Sequence, residues 1–148
     1  MTKSSKMNLL HRGTRDGFTS QSFHSKCDGK GNTITIIKNN LNYVFGGYAS
    51  FAWNSSGVWI NDPNAFLFSI RRAGVSFKDK SIVKRAECAL YGKPNYGPTF
   101  GGGHDIHICN QSNTNTGSYT NFGDLYNLPE GYTKGGNARD FLAGNYNQ

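Results

Sequence analysis

Long apolar runs are missing from this sequence. No stretch reaches the roughly 18 to 20 consecutive apolar residues that a membrane span needs, and the opening Met1-Thr2-Lys3-Ser4-Ser5-Lys6 has no apolar signal core. Those absences point to an intracellular protein. Cysteine is scarce too: Cys27, Cys88 and Cys109 are three in number and far apart, which suits reduced thiols in the cytosol better than a disulfide framework. Asn54-Ser55-Ser56 and Asn110-Gln111-Ser112 match the glycosylation sequon, but without a secretion signal they read as turn residues. Charged residues make up only 17% of the chain, the reverse of a helical bundle rich in Ala, Glu, Lys and Leu. Catalytic signatures are lacking: there is no G-x-S-x-G elbow to supply a nucleophile, no Walker loop, and Gly29-x-Gly31 is too short for a dinucleotide fingerprint.

Aromatics and glycine are what the sequence has instead. Ten Phe, eight Tyr and two Trp favour pleated, half-buried surfaces, and nineteen Gly demand frequent turns, so the composition leans to a mostly β domain. At 148 residues one hydrophobic core is expected, over a single domain 1–148. A formal charge of +7 permits attraction to nucleic acid, acidic membrane or acidic protein. The basic residues are scattered, with Arg71-Arg72 and residues 78–85 the local concentrations, so no polybasic arm supports nucleic acid, and a solvated basic face is the plainer reading.

The chain parses into short elements. Thr19 or Ser20 caps a helix whose Phe23 and Cys27 recur at i and i+4, and Asp28-Gly29-Lys30-Gly31 stops it. The β-branched run 33–38, the Asn-rich turn 39–42 and the run 43–49 read as a hairpin. Gly46-Gly47 inside its second strand calls for a bulge or a close backbone approach. Residues 65–70 are apolar on both faces, as in a central strand; 71–74 form a turn, and 75–77 pair back. Residues 88–91 and 104–109 read as further strands, 122–128 as a short element and 138–142 as one helical turn, while 79–87 is left unassigned.

Among side chains with chemistry, His24, Cys27, His104, His107 and Cys109 are of metal-ligand type, but His104 and His107, three apart in a strand, would point to opposite faces, which disfavours zinc. Gly101-Gly102-Gly103 before His104-Asp105 reads as positive-φ or tightly packed backbone at a sheet corner in preference to an oxyanion loop. Cys27 lies near a helix C-terminus, which disfavours a thiolate, so direct peroxide scavenging is not expected of it. Arg15-Asp16, in a Gly-flanked segment, is either an internal salt bridge fixing the turn or a partner contact.

Six blocks then occur in order: Leu9-Leu10-His11-Arg12-Gly13-Thr14-Arg15-Asp16-Gly17-Phe18; Phe23-His24-Ser25-Lys26-Cys27-Asp28-Gly29-Lys30-Gly31; Val44-Phe45-Gly46-Gly47-Tyr48; Asp62-Pro63-Asn64-Ala65-Phe66-Leu67-Phe68-Ser69; Tyr96-Gly97-Pro98-Thr99-Phe100-Gly101-Gly102-Gly103-His104-Asp105-Ile106; and Leu142-Ala143-Gly144-Asn145-Tyr146-Asn147. Together they resemble the TLDc domain over nearly the whole chain. The resemblance implies a two-layer antiparallel β-sandwich with a few short helices, of the kind found in eukaryotic oxidation-resistance proteins and beside TBC, LysM, BTB or EF-hand regions. It also implies a non-enzymatic, cytoplasmic protein-binding domain without cofactor or metal. Its implied partner is the peripheral, ATP-hydrolysing sector of the vacuolar proton pump, at endolysosomal or vacuolar membranes, with a link to oxidative-stress resistance. Arg15, Asp16, His104 and Asp105 are the candidate partner contacts in a chain expected to be monomeric. Two departures stand out: family members usually carry a helix before the Leu9 block and an apolar strand after the last block. The chain is thus a fragment, a divergent gene product or a domain less stable than its relatives. The alternative from another class is a basic β module for RNA or single-stranded nucleic acid, which needs bases to stack on exposed rings.

Overall fold

The capping chemistry at Thr19 acts as its sequence suggests. In the computed structural model, which describes residues 5–145, the Thr19 hydroxyl accepts a hydrogen bond from the Ser22 N–H and opens helix α2, Ser20–Cys27, and Phe23 and Cys27 are buried on one side of it. Gly29 at φ 75° turns the chain out of that helix. A four-residue helix α1, Gly13–Asp16, precedes it.

Among the described residues eight strands follow: β1 (Thr33–Lys38), β2 (Val44–Ala49), β3 (Trp59–Ile60), β4 (Phe66–Arg72), β5 (Val75–Ile82), β6 (Leu90–Tyr91), β7 (Tyr96–Phe100) and β8 (Ile106–Cys109). They form two antiparallel four-stranded sheets, ordered β1-β2-β4-β5 and β3-β6-β7-β8. The protein is therefore a mostly β sandwich with few short helices. The β1–β2 turn closes on Asn42, whose φ of 61° suits Asn, while the Asn39 carboxamide oxygen accepts from the Leu41 and Tyr43 N–H groups. Ala73 and Gly74, both at positive φ, make the β4–β5 turn. β5 extends to Ile82, so part of the unassigned stretch 79–87 is strand.

Other expectations shift. Strand 88–91 shrinks to two residues because residues 86–88 coil into a 3-10 turn, and 122–128 is a series of turns joined to Val83 by one bridge at Tyr126. The turn expected at 138–142 is a 3-10 helix, Asn137–Asp140.

The core lies between the layers. Phe45, Ala49 and Leu67 from the first sheet meet Leu90, Phe100 and Ile106 from the second, all within 1% of complete burial, with Trp53, Leu125, Tyr126 and Phe141 filling in from the connecting segments. The register shift lies just ahead of Gly46-Gly47, between Val44 and Phe45, and the close approach comes from backbone at Gly46 and from a side chain at Gly47. A Cβ at Gly47 would sit 2.5 Å from the Phe100 ring, and one at Gly46 would run into the Thr35 carbonyl oxygen and the Phe68 ring. Glycine is thus what lets the layers close. β4 is central, but its two faces differ: Leu67 and Ser69 are buried inward, whereas Phe66 and Phe68 are half-buried on the outside of the first sheet.

Candidate interaction surface

Arg15 and Asp16 face each other within α1. Arg15 donates from Nε to Asp16 Oδ1 and from Nη2 to Oδ2, each at 2.8 Å, a two-pronged bond that fixes both planes. Asp16 also accepts from the Arg12 backbone N–H at 2.8 Å, and Lys26 Nζ stands 3.9 Å from it. The Arg15 guanidinium and then the Arg12 N–H hold the Asp16 carboxyl far below the ordinary carboxylate range. Its acceptors are thus engaged within the segment, while about half of the Arg15 side chain remains exposed. Arg15 and Asp16 are thus bonded to each other and to Arg12 and Leu10, whereas Asp105 is bonded to residues 123–126 and His104 lies among rings of the second sheet.

Asp105 is not a surface residue, and this corrects its reading as a partner contact. It is completely buried, and its carboxylate accepts from the backbone N–H groups of Gly123, Asp124, Leu125 and Tyr126 at 2.8 to 3.3 Å. It therefore holds the turn 123–126 against the start of β8. Burial pushes its carboxyl up to about 6, against the pull of those N–H donors. The glycines ahead of it serve the same junction: Gly101 has φ 89°, and a Cβ at Gly102 would press on Leu125 at 2.7 Å and one at Gly103 on Asp124 at 2.5 Å. Gly103 N–H donates to Asp124 at 2.6 Å. The triple glycine is a sheet corner sewn to a neighbouring turn.

His104 does reach a surface, and it gathers rings that the sequence leaves far apart. Its imidazole stacks on Tyr91 (centroids 5.6 Å, 23°) and on His107 (5.5 Å, 27°), and lies 5.8 Å from both Trp59 and Tyr96. The expectation that His104 and His107 point to opposite faces is wrong, because strand alternation does not apply: His104 sits in a turn at φ 59°, and β8 begins only at Ile106. Trp59 packs on Tyr91 at 4.2 Å through the β3–β6 pairing, Tyr119 closes on His107 at 5.1 Å, and Lys93 Nζ caps the Tyr96 ring at 4.4 Å. The outer side of the second sheet is therefore a continuous aromatic surface with one lysine beside it, and Trp59 is 39% exposed. Of this set the sequence singled out His104 and His107 as residues of metal-ligand type, and only His104 as a partner contact. Two-residue strands carry no periodicity, so nothing in the pattern announces that Trp59 and Tyr91 are neighbours.

Both imidazoles are kept neutral. Burial lowers the His104 value, and burial, then the charges of His104 and Lys93, lower His107 to about 4. A group whose folded value lies below its unfolded one lends stability above the unfolded value, and that stability is lost as pH falls through the folded one. The His107 contribution should accordingly be lost between pH 6.5 and pH 4. On His107 alone the loss approaches roughly 3 kcal/mol at the acid end. Relative to the native chain, His107→Phe should therefore gain stability as pH falls from 6.5 to 4, and an unchanged pH dependence in that variant would contradict the assignment.

Metal and thiol chemistry find little footing. Among the described residues no three His, Cys, Asp or Glu side chains converge as a metal site. His24 instead bonds Asp28 through Nδ1 at 2.7 Å and donates from Nε2 to the carbonyl oxygens of Lys93 and Tyr96. Cys27 is buried, and burial, followed by Asp28 and Asp16, pushes its thiol up to about 11, so thiolate is scarce at neutral pH. Stacking on nucleic acid needs free rings; Phe45, Trp53, Phe100, Phe122, Tyr126 and Phe141 are interior and Trp59 and Tyr91 already pack on each other, while Phe18 and Phe51 are exposed. Among the described residues no helix is long and apolar enough to cross a membrane.

Comparison with known proteins agrees with this geometry. The family profile of the TLDc domain matches residues 1–138. One curated relative is the MTOR-associated protein MEAK7 of Danio rerio, 34% identical over 44 residues, a stretch covering 30% of this chain and 10% of that protein. The matched stretch is thus about a tenth of the relative's length. No solved structure matches the chain. With a matching profile over most of its length and two antiparallel sheets in place, the chain belongs to the TLDc domain family.

Proposed function

We propose that this TLDc domain is a non-catalytic docking module that binds the peripheral, ATP-hydrolysing sector of the vacuolar proton pump and through it contributes to resistance against oxidative stress. The observation that carries the reading is the TLDc match over residues 1–138. Two features support it. The side chains of catalytic type are committed to structure, Asp105 to a turn and Cys27 to the core as a protonated thiol. The exposed chemistry is aromatic and basic, which suits a protein partner. Binding to that sector would place the chain at the cytoplasmic side of vacuolar or endolysosomal membranes without a span of its own, with Arg15 and His104 as the first residues to test for contact.

The immobilised, folded chain should retain the purified peripheral sector from solution. Failure of a chain with a cooperative thermal transition to retain the sector would overturn the assignment. Retention of single-stranded RNA, weakening steeply with salt, would support the nucleic-acid reading in its place.

A further inference from the structure

Strand alternation gives the first sheet two sides. Phe45, Gly47, Ala49 and Leu67 face the core, so their neighbours in β1, β2, β4 and β5 face outward. The pairing register then lines those neighbours up in rows. One row runs Ile34, Tyr48, Phe66, Ile82 and the next Ile36, Gly46, Phe68, Lys80. Ile36 and Ile82 are 60% and 59% exposed, and Ile34 and Ile70 nearly half exposed. A contiguous apolar patch of this kind marks an interaction site. It is also stiff: Tyr48 stacks on Phe66 (5.0 Å, 23°), Lys80 Nζ sits over the Phe66 ring at 4.2 Å, and Phe68 lies down against Gly46.

The charge on this side has one sign. Lys38 continues the alternation of Ile34 and Ile36, exposed Arg71 pairs with Val44 across the β4 bulge, and Lys78 and Lys80, with Asp79 between them, line an open depression of about 380 Å³ beside Ile70. Asp79 has the opposite parity in β5, and its carboxylate is bonded by the Ser81 hydroxyl at 3.2 Å. No acidic residue occupies an outward position of these four strands. The patch is therefore apolar at one end and cationic at the other.

We propose that the outer face of the β1-β2-β4-β5 sheet is the docking surface for an acidic amphipathic helix of a partner protein, with its apolar stripe on the Ile34–Tyr48–Phe66–Ile82 row and its carboxylates on Lys38, Arg71, Lys78 and Lys80. The proposal rests on the reading of this domain as a protein-docking module and names the face and the chemistry of what it takes. A helix is the fitting shape: four strands about 4.8 Å apart span roughly 14 Å, and a helix with its side chains is about 10–12 Å across. An added strand would pair at an edge and leave this face open. A second copy of the chain would set lysines against lysines on a molecule of charge +7. Residues 1–4 and 146–148, which lie outside the described range, contain no Asp or Glu. A lipid surface takes up protruding apolar tips, whereas Tyr48, Phe66 and Phe68 are half-buried in a strand face.

The test is a titration of the ¹⁵N-labelled chain with three probes: a synthetic amphipathic peptide with Leu and Glu at helical spacing, the same peptide with Lys for Glu, and vesicles one-third phosphatidylserine. The Leu/Glu peptide should shift amide signals concentrated on β1, β2, β4 and β5. Its affinity should fall at least tenfold in Lys78→Glu/Lys80→Glu and, separately, in Ile36→Ser/Ile82→Ser. These are exposed positions, and an unchanged thermal midpoint shows that each variant is folded. Absence of binding, equal binding of the Lys peptide, shifts centred on the His104 surface, or a response to vesicles alone would each overturn the proposal. A chain that responds to the Leu/Glu peptide as expected but does not retain the proton-pump sector keeps this face and loses that partner.

Discussion

Asp105→Ala should destabilise the domain by several kcal/mol and lower its thermal midpoint by roughly 10 °C. Four backbone N–H groups, those of residues 123–126, converge on this one buried carboxylate. A buried donor stripped of its acceptor costs about 1–3 kcal/mol. Water entering the vacated space recovers part of that, leaving a loss of order 3–5 kcal/mol. At about 2–4 °C per kcal/mol for a chain of this length, the shift follows. Asp105→Asn is milder, since the amide keeps one acceptor oxygen but turns an NH2 towards donors. It also carries a pH signature. With a folded value near 6, above the usual carboxylate value, the stability that Asp105 lends is fully present below its unfolded value and is lost as pH rises through 6. His107 acts in the opposite sense over the same range. Melts from pH 3.5 to 7.5 should therefore show a steeper gain with rising pH in Asp105→Asn than in the native chain. A midpoint for Asp105→Ala within 2 °C of the native one would refute the role assigned to this residue.

Trp53→Ala is the second large effect expected, of order 3–5 kcal/mol. The indole is 1% exposed and meets the rings of Phe23 and Phe100 edge-on, each at 5.4 Å, while its Nε1–H donates to the Thr33 hydroxyl at 3.1 Å. One side chain thus ties helix α2, the first sheet and the second sheet together. Its backbone adds to this, accepting from Gly29 at 2.9 Å. Trp53→Phe keeps ring packing and loses the Thr33 bond, so its cost should be under half that of the alanine variant. Equilibrium urea unfolding measures both. Equal losses in the two variants would show that the hydrogen bond and indole size, and not the shared ring, supply the stability.

Predictions of this size come from residues whose importance is unequally visible in sequence. Trp53 is large and apolar, and its burial is the ordinary expectation. Asp105 in sequence is only a charged residue after three glycines, and charged residues are mostly exposed. Its burial depends on four N–H groups delivered by a turn about twenty residues later, which no local pattern encodes. His104 shows the same dependence. Reading it as part of a strand put it opposite His107, whereas a positive φ just before β8 rotates it onto the same side. Arg15 and Asp16 are adjacent, so their pairing is one of two readings open from sequence, and the bond is formed.

What the sequence determined by itself is local. β-branched residues at 33–38 dictate a strand, Asn-rich and Gly-containing segments at 39–42 and 73–74 dictate turns, and a threonine cap with a four-residue apolar spacing dictates helix α2, because each rests on propensities and bonds within a few residues. The two glycines at 46 and 47 likewise announced a close approach. Tertiary structure alone decided what approached, the Phe68 and Phe100 rings, and which strands became neighbours, since β2 pairs with β4 and not with β3. It also decided that isoleucines, phenylalanines and a tyrosine from four separate strands form one outward face rimmed by lysine. Long-range pairing is settled by which surfaces bury best against each other once the chain closes, and that sum over distant residues is written in no single segment.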